Sequence, residues 1–190
     1  VPVWHGDEAW FARLADQAVV VPSPTTDRIA AAAREAGAYV VVGVDEREPH
    51  GSTIYNTLLY FGPDGRLWIG TGDAFDTATA QNRDSLNGKV LRLRPDGTVP
   101  RDNPFGTPVF STGHRNVQGI AFDQDGTAYA AELGLNAWDE LNVLRAGADY
   151  GWPAAEGPDG REGERPIFAL RPAEASPSGI AYAGGAVWVA

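Results

Sequence analysis

Three segments of this 190-residue chain repeat one short pattern, and that pattern restricts the fold more than any other feature. Phe61 to Ile69, Phe122 to Ala130 and Tyr182 to Val189 each run from an aromatic residue through a glycine-bearing turn into an apolar strand. Glycine supplies the left-handed backbone that a tight hairpin needs, so each segment reads as a β-hairpin. The segments recur roughly every 60 residues, beyond the ~40–50 of common propeller repeats. The excess falls to loops such as Asp73 to Asp84 and Glu156 to Pro177. A repeated hairpin suits propeller blades, but a β-sandwich or a barrel is assembled from the same units. From Gly62 onward the chain is short strands and Asp-Gly turns, with no helix expected.

Residues 1 to about 60 follow α/β patterning instead. Ala9 to Ala18 carries apolar residues at helical spacing, and Ala18 to Val21 is a short β-branched run. Pro22 to Asp27 breaks the chain and supplies helix-start residues. Arg28 to Ala36 is an alanine-rich helix, with Gly37 placed as its C-terminal cap. Ala38 to Val44 is expected to be a strand buried on both faces, as parallel strands are. Strand, helix and strand at this spacing form a βαβ unit. Tyr55 to Phe61 is a further strand.

Composition narrows the functional classes. The chain is 43% apolar and 21% charged, which is ordinarily globular. A formal charge of −10 leaves no basic stripe for nucleic acid. No apolar run approaches membrane-spanning length. With no cysteine, disulfides, thiolate metal sites and a cysteine nucleophile are excluded. The chain starts at Val1 and has no methionine, so a removed leader or a truncated start is an expectation to carry forward.

The most informative polar cluster is Gly113-His114-Arg115-Asn116-Val117-Gln118-Gly119. Guanidinium and amide groups on a glycine-framed turn suit a planar ligand bearing carboxylates and carbonyls. Ala131-Glu132-Leu133-Gly134, Asp139-Glu140-Leu141-Asn142 and Asp149-Tyr150-Gly151-Trp152-Pro153 follow it. Together these strings resemble the soluble quinoprotein glucose/sorbosone (aldose sugar) dehydrogenases over about residues 61–190. That family consists of six-bladed β-propellers using pyrroloquinoline quinone (PQQ) and calcium. The resemblance implies an oxidoreductase that takes an aldose sugar to its lactone and passes electrons to an unspecified acceptor. Here it would supply about two to three blades. It also implies a periplasmic or extracellular location.

The same resemblance assigns residues. Arg115 and Asn116 match the pair that contacts the cofactor, and Arg115 would stabilise negative charge building on the quinone oxygens. An arginine tying two loops together is the competing explanation. Gln118 is read as loop support and His114 as structural. Gly134 and Leu135 match two main-chain carbonyl ligands of the cofactor-bound calcium, although the family usually carries Gly-Pro there. Glu140, through its carboxylate, and Tyr150, through its carbonyl, match a second, structural calcium site. An ordinary solvated acidic pair at Asp139 and Glu140 is the plainer alternative. Asp73 matches an aspartate that orients the family's general-base histidine. Counting back from it by the family spacing lands on Ile54; His50 lies four residues earlier. Loss of a general base typically costs ~10²–10⁴ in rate, so impaired turnover is expected.

Residues of about 10–67 resemble the nitrilase branch of the carbon–nitrogen hydrolases, αββα sandwiches with a Glu-Lys-Cys triad. The carrying strings are Val21 to Pro24, Ala32 to Val44, Glu46-Arg47 and Ile54 to Leu67. The required cysteine is absent, and the only lysine, Lys89, lies in a dehydrogenase-type string. Phe61 to Leu67 fits both families, so the chain is expected to be a chimera joined there. The organisation expected is therefore mixed: a nitrilase-like α/β fragment over 1–60 and an all-β partial propeller over 61–190. An unclosed ring exposes strand edges, so an oligomer that covers them is a further expectation. A carbon–nitrogen hydrolase remnant and a non-catalytic calcium-binding β-domain are the alternative functions.

Overall fold

In the computed structural model of the protein, residues 8–50, 54–63, 65–159 and 163–190 are described. Asp64 of the first hairpin turn and part of the loop from Glu156 to Pro177 lie outside them. The chain divides into two compact units. The first runs to Leu67 and includes Arg94–Thr98; the second comprises Trp68–Leu93 and Val99–Ala190.

The first unit holds α1 (Glu8–Gln17), α2 (Pro24–Ala36), β1 (Val40–Arg47) and β2 (Ile54–Phe61). At the start of α2 the Thr26 hydroxyl accepts the Ser23 N–H at 2.9 Å and donates to the Ser23 carbonyl at 2.7 Å. Pro24 occupies the first helical turn, where its missing N–H costs nothing. Gly37 ends the helix at φ 59°, and its N–H returns to the Arg34 carbonyl. Ala30 and Ala33 are its buried contacts.

β1 and β2 pair antiparallel from Val40↔Phe61 to Arg47↔Ile54. Val19 lies on the other edge of β1 in a parallel bridge, taking the Arg47 N–H and donating to the Asp45 carbonyl. The parallel partner joined through α2 is thus a single bridge long. Burial of β1 on both faces does not hold. The strand alternates, with Val41 53% exposed and Leu58 of β2 42% exposed. A run of β-branched residues is the same string whether one face or two are covered, and pairing with β2 leaves one face open.

Strand β3 (Leu67–Gly70) belongs to the second unit from Trp68 onward, and that unit contains α3 (Ala78–Gln81), β4 (Val90–Leu93) and β5 (Val109–Ser111). It continues through β6 (Val117–Phe122), β7 (Ala128–Glu132), β8 (Asp139–Leu144), β9 (Phe168–Leu170), β10 (Ile180–Ala183) and β11 (Ala186–Val189). Strands β3, β4 and β5 are neighbours in one sheet, β6 to β9 form a four-stranded antiparallel sheet, and β10 pairs with β11. Trp68 packs edge-on against Phe110 (centroids 4.6 Å apart) and Phe122 (5.3 Å) at the core. Val90, Val109, Ile120 and Ala130 are buried with them. The expected turns form: Gly126 has φ 86°, and Gly184 and Gly185 have φ 62° and 80°. The one-turn α3 was not expected. Asp76 starts it, accepting the Ala78 N–H at its side chain and the Thr79 hydroxyl at its carbonyl. The described fold is mostly antiparallel β-sheet, and β6 to β9 has the size of one propeller blade.

Candidate functional site

The segment from Gly113 to Asn116 enters β6 and is stitched to three other stretches of the second unit. Its Gly113 N–H reaches the Ala80 carbonyl, and the Arg115 carbonyl accepts the Asp73 N–H at 2.9 Å. The Asn116 carbonyl accepts the Leu133 N–H at 3.0 Å, and the Gly113 carbonyl accepts the Trp152 N–H at 3.0 Å. Gly113 has φ 75°, and a Cβ there would fall 2.1 Å from Asp149 Oδ1 and 2.7 Å from the Gly151 nitrogen. Only glycine allows these loops to close on one another.

His114 is wholly buried. Its Nδ1 lies 2.8 Å from Glu132 Oε2 and its Nε2 lies 2.8 Å from Ser111 Oγ. A carboxylate only accepts, so Nδ1 carries a hydrogen. Serine, histidine and glutamate in this order share the geometry of a hydrolytic triad, but Ser111 is fully buried and no substrate reaches it. The network works as a brace. Glu132 Oε1 accepts the Arg115 N–H, and the His114 ring stacks on Tyr150 at 4.5 Å. Glu132 went unassigned at the sequence level, although a carboxylate closing the apolar run Ala128–Glu132 was the available signal.

Asp73 is buried beneath this segment. Its Oδ2 accepts the Trp152 indole N–H at 2.9 Å and its Oδ1 the Phe75 N–H at 3.0 Å. The loop that follows is held by Lys89. Its buried ammonium donates to the carbonyls of Thr79 (2.7 Å), Ala80 (2.9 Å) and Asn87 (2.7 Å). Burial pulls the Lys89 pKa down to about 8, partly offset by the Asp149 charge.

A small cleft brings together most of the residues expected to act. Arg115, Glu132, Gly134, Glu140, Tyr150 and Glu156 are among those lining it. Gly134 is indispensable locally, because a Cβ would sit 1.8 Å from the Trp138 carbonyl. Glu156 accepts the Leu135 and Trp138 N–H groups, fixing the turn that carries Leu135. Glu140 accepts the Gly157 N–H at 2.6 Å and the Asn142 amide at 3.1 Å. Burial, then the charge of Glu132 directly across the strand pair, raises the Glu140 pKa. Tyr150 is buried, donates to the Val143 carbonyl at 2.6 Å, and has its pKa pushed by burial up to about 12. Asn116 sits against Gly72, bridged to it in antiparallel fashion.

Two features bear on what the cleft accepts. Arg115 Nε is buried with no hydrogen-bond partner among the described residues. A guanidinium donor left unsatisfied inside a protein invites an anionic partner. The groups expected at the two calcium sites, Gly134 with Leu135 and Glu140 with Tyr150, offer oxygens, which suit a hard cation such as calcium. Among the described residues, however, no group of three or more histidine or acidic side chains is arranged to hold a metal.

A family model described as glucose/sorbosone dehydrogenase matches residues 29–188, beginning ahead of the Phe61 from which the resemblance was read. The PQQ-bound form of an aldose sugar dehydrogenase from Streptomyces coelicolor superposes with a TM-score of 0.68. It is 40% identical, covering 82% of this chain and 56% of that one. Quinoprotein glucose dehydrogenase B from Acinetobacter calcoaceticus is 35% identical over 122 residues, 52% of this chain and 26% of its own. Nitrilase 3 from an unknown prokaryotic organism is 60% identical over only 55 residues, 29% of this chain and 16% of its own. The chain spans between 26% and 32% of the length of the first curated relatives it matches.

Proposed function

The chain belongs to the glucose/sorbosone dehydrogenase family, and from that membership we propose that it carries part of a PQQ- and calcium-dependent oxidation of an aldose to its lactone. The observation that carries this reading is the buried, unsatisfied Arg115 Nε at a cleft lined by oxygen donors. Arg115 and Asn116 would hold the cofactor. The carbonyls of Gly134 and Leu135 would hold the cofactor-bound calcium, and the Glu140 carboxylate with the Tyr150 carbonyl a second, structural calcium. A cation at Glu140 would also offset the Glu132 charge that faces it. When bound, PQQ supplies the two-electron acceptor that an aldose needs to become a lactone.

Turnover is impaired in this proposal. Asp73 is anchored by Trp152 and Phe75, but the position expected for the base it would orient is Ile54. The aldose is the substrate, with a separate electron acceptor and a periplasmic or extracellular setting as the family suggests. The organisation proposed is a partial propeller joined to a nitrilase-like α/β fragment, a chimera whose exposed sheet edges a second copy would cover. The short, high-identity nitrilase match supports the fragment.

A dye-linked glucose assay, run beside thermal melting with and without PQQ and calcium, tests the reading. Cofactor-dependent stabilisation with slow glucose oxidation is the expected result. Stabilisation by calcium alone with no turnover would instead favour a non-catalytic calcium-binding β-domain. Nitrile hydrolysis is not expected, because the chain has no cysteine.

A further inference from the structure

We propose that Phe75 determines sugar specificity, its ring being the platform on which the apolar face of a pyranose stacks. This rests on the sugar-oxidising reading above and names a contact that it lacks. Ala74 and Phe75 stand at φ 55° and 62°, the only non-glycine residues with positive φ among those described. Left-handed backbone at an ordinary residue is strained and persists where its surroundings enforce it. Here the Phe75 N–H is tied to Asp73 Oδ1, and Asp73 is in turn anchored by Trp152. The strain delivers a phenyl ring that is 88% exposed, with the Arg115 guanidinium 5.8 Å from its centroid. Burial in a core does not explain that placement.

A phenyl ring makes no hydrogen bonds of its own, so it selects a partner with a flat apolar side. A pyranose presents one: its axial C–H bonds form an apolar face while its hydroxyls project around the rim. Positively polarised C–H bonds meet the electron-rich face of the ring. Position favours the sugar over the cofactor. Asp73, which serves the sugar end in the proposed reaction, holds the Phe75 backbone, whereas Arg115, the cofactor ligand, reaches the ring through its guanidinium, 5.8 Å from the centroid.

The test uses the full chain, Phe75→Ala and Phe75→Trp, with methyl β-D-glucopyranoside as a non-oxidisable probe and saturation-transfer NMR as the readout. Spectrophotometric PQQ titration of each protein runs in parallel. Expected are glycoside binding through the ring C–H protons and at least fivefold weaker binding by Phe75→Ala. Phe75→Trp should restore binding, and all three proteins should take up PQQ equally. Equal glycoside binding by Phe75→Ala, or none by the native protein, overturns the proposal. So does a comparable loss of PQQ affinity in Phe75→Ala, which would give the ring to the cofactor. Failure of the sugar-oxidising reading itself shows separately, as a native protein that binds glycoside but no PQQ.

Discussion

The indole N–H of Trp152 donates to Oδ2 of Asp73 across 2.9 Å, a buried bond joining residues 79 positions apart in the chain. It pins the loop bearing Asp73 and Phe75 to the turn after Tyr150. Replacing Trp152 by Phe removes the donor and leaves a buried carboxylate oxygen short of a partner, at a cost of about 1–3 kcal/mol. Urea unfolding should show a lower midpoint with an unchanged slope. An unchanged midpoint would mean that the bond does not form.

The Lys89 ammonium sits among three carbonyls and donates to each. Its pKa is lowered to about 8 in the fold from 10.5. Between those values the unfolded chain binds more protons than the native one, so stability contributed by this group rises with pH across that window. Lys89→Met should abolish that rise and lower stability at every pH, because three carbonyls lose a donor. Thermal melting between pH 7 and pH 10.5 reads both effects. A native profile that is flat or falling there contradicts the account.

Glu140 behaves in the opposite sense. Its folded pKa lies above the ordinary carboxyl value, chiefly through burial and then through Glu132. The native state therefore holds its proton to higher pH than the unfolded state does, and stability falls as pH climbs from the ordinary value through the raised one. Glu132→Gln removes the neighbouring charge and should move the Glu140 midpoint back down, measured by carbon-detected NMR titration of the carboxyl. Added calcium should lower it further if Glu140 is a ligand.

Gly113 admits no side chain, since a Cβ would meet Asp149 and Gly151. Gly113→Ala should separate the Arg115 segment from the turn at Trp152. Loss of stability should exceed the ~1 kcal/mol typical of a point change. Circular dichroism during thermal melting measures it.

Much of the second unit was legible because turn chemistry is local. The glycines of the hairpins after Phe122 and Tyr182 announce positive φ, and those turns form at Gly126, Gly184 and Gly185. Ser23, Pro24 and Gly37 likewise bracket α2. β1 was misread because its apolar run does not say how many faces are covered. The braces of the site were invisible for a different reason. Glu132 and His114 are 18 residues apart, and Trp152 and Asp73 are 79 apart. The Lys89 ammonium bonds to carbonyls, which carry no residue identity. Arg115, Gly134, Glu140 and Tyr150 were named in advance and line one cleft. Asp73 meets the Arg115 main chain, and Asn116 is bridged to Gly72.

The most direct measurement is spectrophotometric titration of the native chain and Arg115→Ala with PQQ in the presence of calcium. A charged hydrogen bond of about 1.5–3 kcal/mol corresponds to roughly 10- to 150-fold in affinity. The account predicts saturable uptake by the native chain, weakened by that factor in Arg115→Ala. Equal uptake by both proteins, or none by the native chain, contradicts it.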